Sequence, residues 1–183
     1  MIAFKGFNKD LTCRGYKFSE TEVNKEERAK TVSCGFHCAL NPLDCLSYYP
    51  NMNTSVYYKV AAEGDINEDG TDTKIACTEL RLLEKLNIQQ FVLYAAQYII
   101  EHPEVKNNGK VYEEKGCNMS YDFVIVRGKN PVAAGRKNGV IIMLLKEYAR
   151  KRQIKEAAVY IVGDDNIKPG VYYDIKGRAV ENG

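Results

Sequence analysis

The stretch from Val56 to His102, VYYKVAAEGDINEDGTDTKIACTELRLLEKLNIQQFVLYAAQYIIEH, decides the fold class. Its opening, Val56 to Ala62, alternates and is rich in β-formers, so it predicts a strand. EGDINEDGTD, from Glu63 to Asp72, follows as a polar, acidic turn. Lys74 to Leu86 is ambiguous: Ile75, Cys77, Leu80, Leu82 and Leu83 fit two strands or a helix equally well. From Ile88 to His102 the apolar residues Phe91, Val92, Ala95, Tyr98 and Ile99 recur at three and four, the stripe of a helix packed on one side. Asn87 is placed to cap that helix and Pro103 to stop it.

Working toward the N-terminus, Ile2 to Phe7 reads as a strand closed by Asn8, Lys9 and Asp10, and Tyr16 to Phe18 as a second. Ser19 to Lys30 is charged and aperiodic, a surface loop or a short helix, and Thr31 to Ala39 is mixed and strand-like. Asn41-Pro42 is a helix start, the Asn capping and the Pro at home in the first turn. That helix carries Leu43, Leu46 and Tyr48 inward and ends before Pro50.

Toward the C-terminus, Glu104 to Met119 is polar and reads as a connection. Strands are expected at Tyr121 to Arg127, Pro131 to Ala134, Val140 to Glu147, Ala157 to Gly163 and Val171 to Lys176. The expected class is α+β: an N-terminal mixed sheet with two helices over residues 1–103, a connecting segment 104–120 and a mainly β part over 121–183.

The 183 residues are ordinary globular material, 45% apolar and 27% charged. A net charge of +2 is too small to imply nucleic acid by bulk electrostatics. No apolar run reaches the ~20 residues a bilayer span needs, and MIAFKGFNKD has no signal pattern. The expectation is a soluble protein in the cytoplasm of a bacterial host, its six cysteines reduced.

CGFHCALNPLDC, Cys34 to Cys45, gathers three cysteines and His37. Structural zinc wants two close ligand pairs, and neither is present here, so the thiols read as interior filling. DINEDG, Asp65 to Gly70, starts like a calcium loop but has Ala76 where a bidentate Glu is required. No metal and no cofactor are expected. GRKNG, Gly135 to Gly139, lacks the pattern of a phosphate loop, and Asn138-Gly139 is a hairpin signal. KEYARKRQIK sets Lys146, Arg150, Lys151, Arg152 and Lys155 in one run, a solvated face or a patch for phosphates or an acidic partner. Thirteen tyrosines include the doublets Tyr48-Tyr49, Tyr57-Tyr58 and Tyr172-Tyr173. On a strand, one ring of each of the last two pairs should point outward, as interfaces favour. No Ser/His/Asp signature, HExxH, dinucleotide fingerprint or nucleophile elbow is present.

FKGFNKDLTCRGYKF, then GFH, PLDCLSYYP, a VAAEGDI strand and TKIACTELRL resemble a domain of unknown function common in phage, prophage and gut Firmicutes genomes. The resemblance covers residues 1 to 103, and the tail GDDNIKPGVYYDIKGRAVE resembles the closing strands of such proteins. In them the second cysteine of GFHC falls one residue later and Cys45 is often aliphatic, a drift no metal cluster tolerates. In size and genomic setting the chain is similar to anti-CRISPR proteins that block type II effector nucleases. That likeness implies a binding protein whose partner is a host effector nuclease with its guide RNA. Glu63, Asp65, Glu68, Asp69 and Asp72 would occupy the nuclease's DNA-reading site, and the 146–155 cations would meet guide RNA. Two alternatives stay open. The order of Lys5, His37, Tyr57 and Glu79 resembles an ADP-ribosyltransferase-like enzyme, and the basic run alone would suit a nucleic-acid-binding module.

Overall fold

Strand β1 (Ile2–Asn8) sends Ala3, Lys5 and Phe7 to one face and Phe4 and Gly6 to the other. In the computed structural model, which describes residues 1–30, 34–68, 73–106, 109–164 and 166–181, this strand anchors the first of two units. Those units are Met1–Ala95 and Ala96–Gly183, and the division falls inside the one long helix. The architecture is mostly β. The described residues hold one α-helix and one 3-10 helix.

In the first unit β2 (Thr12–Cys13) and β3 (Tyr16–Lys17) form a small ribbon. The main sheet adds β4 (Asn24–Lys25), β5 (Phe36–Ala39), β6 (Ser55–Glu68) and β7 (Lys74–Leu86) to β1. The path β7–β5–β1–β6 returns to β7, so the sheet closes on itself. Every pairing in it is antiparallel, which corrects the expected mixed sheet. Ala3, Phe7, Phe36, Cys38, Tyr58, Val60, Ile75, Cys77 and Leu80 fill one continuous core. Helix α1 (Ile88–Glu101) buries Phe91, Val92 and Ala95; Phe91 packs on Tyr57 and Tyr94 on Phe4.

Several expectations are corrected here. The segment from Pro42 to Ser47 is a 3-10 helix of six residues with Asn41 as N-cap. It buries Leu43 and Leu46, but Tyr48 lies beyond its end and is exposed. The acidic turn is strand for most of its length, because β6 runs on to Glu68. Lys74 to Leu86 is one strand, buried on both faces near Ile75–Cys77 where β5 and β6 flank it. Ser19 to Lys30 contains β4, whose buried Asn24 bonds the carbonyls of Ser19 and Leu80. Tyr57 and Tyr58 are both buried, so neither ring of that doublet is available to a partner.

In the second unit the order is β11-β10-β9-β12-β13, with β8 beside β9. The strands are β8 (Tyr112–Cys117), β9 (Phe123–Ala134), β10 (Ile141–Tyr148), β11 (Lys151–Ile161), β12 (Tyr172–Tyr173) and β13 (Ala179–Val180). Val124, Val126, Ile142, Leu144, Val162 and Tyr173 belong to its core. The segment 104–120, read as a connection, thus carries β8. β9 and β10 are parallel, with Ile141 opposite Phe123, so Asn138-Gly139 does not make a hairpin.

That parallel pairing constrains β9. Reaching from Ala134 back to a site beside Phe123 must be done in seven steps, about 25 Å at most, whereas the eleven steps of a straight strand from Phe123 to Ala134 span about 36 Å. β9 therefore bends. The bend is at Gly128–Asn130, where the Glu114 carboxylate accepts the Lys129 and Asn130 amides at 2.7 and 3.0 Å. Glu114 itself has φ 60, the irregular point in the β8–β9 register.

Candidate functional site

After Phe4, which sits opposite Ala39, β1 and β5 part, and a cavity of about 620 Å³ opens between them. Lys5 and Gly6 line one side, Phe36 to Ala39 the other, and Cys13, Arg14, Tyr16, Cys45, Tyr48 and Lys74 complete much of the wall. The Lys5 Nζ bridges the gap: it donates to the His37 carbonyl at 2.6 Å and lies 3.6 Å from the Cys13 Sγ. The rings of Phe7 and Phe18 each lie 5.3 Å from the same ammonium.

The electrostatics follow from burial. His37 is half-buried, and desolvation together with the charges of Lys5, Arg14 and Lys74 holds its imidazole below the usual histidine range, so it is neutral at pH 7. Burial pushes the Cys45 thiol up to about 12, which leaves it an inert hydrophobe. The Cys38 thiol is raised by its hydrogen bond to Cys77 and by burial. Desolvation and its contact with Cys13 raise the Tyr49 phenol. Asp44, which also lines the cavity, accepts from the Thr73 hydroxyl at 2.6 Å.

Of the residues proposed for an enzyme, Lys5 and His37 both line this cavity, from its two sides. Tyr57 and Glu79 are not in its lining: Tyr57 is buried under Phe91 and donates to the Tyr49 carbonyl, while Glu79 pairs with Lys25 at 3.1 Å where β4 meets β7. The four are not gathered around one point. Among the described residues no group of three or more His, Cys, Asp or Glu side chains could hold a metal ion.

The acidic residues occupy an edge. Glu63, Asp65 and Glu68 lie in an exposed run on β6, beyond Ala62, where pairing with the N-terminus ends. Glu63 is 4.0 Å from Arg81, and Asp65 and Glu68 have no cationic partner among the described residues. Asp69 and Asp72 lie outside the described residues. The basic run divides between β10, a turn and β11. Arg152 pairs with Glu113 at 3.2 Å, Lys146 sits opposite Glu156, and Lys155 lies over the Tyr148 ring. Arg150 and Lys151 are exposed and form no ion pair among the described residues. The run is thus partly neutralised by its own neighbours.

Sequence reasoning missed the cavity. Its signal was Lys5 in the inward column Ala3, Lys5, Phe7.

A family described as a domain of unknown function (DUF7666) matches residues 1–94. The chain belongs to the DUF7666 family. The DUF7666 domain coincides with the unit Met1–Ala95 and so contains β1 to β7, the cavity and the acidic edge. No curated protein and no solved structure matches the chain. Among the described residues no helix is long and apolar enough to cross a membrane.

Proposed function

We propose that the chain is a binding protein of a phage or other mobile element that inhibits a host defence complex in the bacterial cytoplasm. The target in this reading is a type II effector nuclease loaded with guide RNA. The observation that supports it is the acidic edge. Six consecutive exposed residues, Glu63 to Glu68, carry three carboxylates on a stretch of β6 that pairs with β7 alone among the described residues. Such nucleases read a short DNA motif with arginines and hold nucleic acid in a positively charged channel, so a fixed acidic edge has complementary charge. The Asp65 amide is bonded to the Thr78 hydroxyl at 2.9 Å, which fixes the edge before it meets a partner.

The test is capture of purified type II nuclease, with and without guide RNA, on the immobilised chain. Guide-dependent capture that is released by salt is expected. Absence of capture of any such nuclease, loaded or empty, removes the reading.

A further inference from the structure

Lys5 is 4% exposed, and no carboxylate pairs with it among the described residues. Buried ammonium groups are nearly always paired, because a charge removed from water needs compensation. Two of its three N–H donors have protein acceptors, His37 O and Cys13 Sγ, and the third has none among the described residues. The charge sits in the wall of the cavity between β1 and β5.

We propose that this cavity binds a small aromatic organic anion, with its carboxylate or phosphate ester on Lys5 and its ring against the aromatic wall. This goes beyond the surface-binding reading and does not depend on it.

Charge, shape and size each support that class. Arg14 and Lys74 add cations to the same wall. Two carboxylates, Asp44 and Glu26, line it as well, so the lining cations outnumber the carboxylates by three to two. A cationic ligand would meet this positive surplus, and a neutral apolar one would leave Lys5 uncompensated. Tyr16 and Phe36 pack at 4.9 Å in the wall, and Tyr48, 52% exposed, is braced by the Lys74 ammonium at 3.2 Å from its hydroxyl. Of these, half-buried Tyr16 and exposed Tyr48 offer ring faces on which a flat ligand can stack. A volume of about 620 Å³ lies within the range of small-molecule sites.

The test is calorimetric titration of the full chain with AMP, benzoate, adenosine and inorganic phosphate. AMP or benzoate should bind with a dissociation constant below about 1 mM. Adenosine lacks the charge and inorganic phosphate lacks the ring, so each should bind at least about tenfold more weakly. AMP alone assigns a phosphate ester, benzoate alone a carboxylate. Lys5→Met should weaken binding about tenfold or more. Arg14→Gln, at an exposed position, should weaken it by a smaller factor and decides the matter if Lys5→Met fails to fold. The proposal is overturned if neither AMP nor benzoate binds at about 1 mM, or if adenosine binds as tightly as AMP. It is equally overturned by wild-type affinity in a folded Lys5→Met protein, or in Arg14→Gln where Lys5→Met does not fold.

Discussion

The Arg127 guanidinium donates to the Glu147 carboxylate at 2.6 Å, tying β9 to β10 inside the second unit. The Arg127 side chain is 1% exposed and that of Glu147 14%, and Arg127 also donates to the Arg152 carbonyl at 2.8 Å. Removing the carboxylate would strand a buried cation. Glu147→Ala should therefore cost about 3 kcal/mol, read as a lowered urea midpoint at unchanged slope. Replacing both partners by methionine should recover most of that loss. A loss below about 1 kcal/mol for Glu147→Ala would show the pair to be solvated.

Helix α1 begins with a reciprocal cap: the Gln90 amide donates to the Asn87 side chain at 2.8 Å, and the Asn87 amide to the Gln90 side chain at 2.9 Å. Asn87→Ala should lower stability by about 1 kcal/mol, and Asn87→Ser should restore most of it. Chemical denaturation followed by circular dichroism measures both.

Gly35 precedes the strand that carries His37, with φ +85, and a Cβ there would lie 2.9 Å from the Ala29 Cα and 3.0 Å from the Arg28 and Cys77 carbonyl oxygens. These are backbone atoms that have no rotamer by which to withdraw. Gly35→Ala should destabilise by about 2 kcal/mol or more, whereas Gly15→Ala, also at positive φ but in open space, should cost less. Equal losses at the two sites would contradict the crowding.

The lowered affinity of His37 for a proton links pH to stability. Below the unfolded value of about 6.5 the unfolded chain binds this proton and the folded chain resists it. The contribution of His37 is therefore complete above about pH 6.5 and is lost as the pH falls toward the lowered folded value. Urea midpoints should fall between about pH 7.5 and pH 5.5, and His37→Gln should flatten that slope. An unchanged slope in the variant would assign the effect elsewhere.

Replacing Glu63, Asp65 and Glu68 by glutamine changes exposed residues only, so the thermal midpoint should move little. Capture of the nuclease should weaken at least about tenfold, chiefly through a slower association at low salt. Replacing Arg150 and Lys151 by glutamine separates an acidic from a basic docking surface.

What was legible in the sequence had a local cause. Helix α1 could be read because Asn87 caps it, Pro103 follows it and the apolar stripe has the helical period. Asn41-Pro42 likewise marked a helix start, but the 3-10 helix ends at Ser47, so Tyr48 falls outside it and is exposed.

What was not legible depended on partners distant in the chain. Glu63 to Glu68 shows no apolar alternation because that part of β6 is exposed throughout; its strand character comes from pairing with β7. Ile75 to Cys77 shows none for the opposite reason, being buried throughout. The parallel neighbours of β9 leave no local mark except Gly128, and Asn138-Gly139 carries a turn signal that says nothing of strand direction. Of the candidate site, Lys5 and His37 were named from sequence, but only the divergence of β1 from β5 shows that they face one cavity.

The ring of strands in the first unit is stitched unevenly. β6 is laced to β7 and to β1 along much of its length, yet β1 meets β5 at the single pair Phe4 and Ala39, reinforced by one lysine side chain. A cylinder with one weak seam can unzip there while the rest of its wall stays intact. Amide protons along Lys5–Phe7 that face the seam should then exchange with solvent sooner than those facing β6, and a molecule lodged in the gap would act as the missing thread.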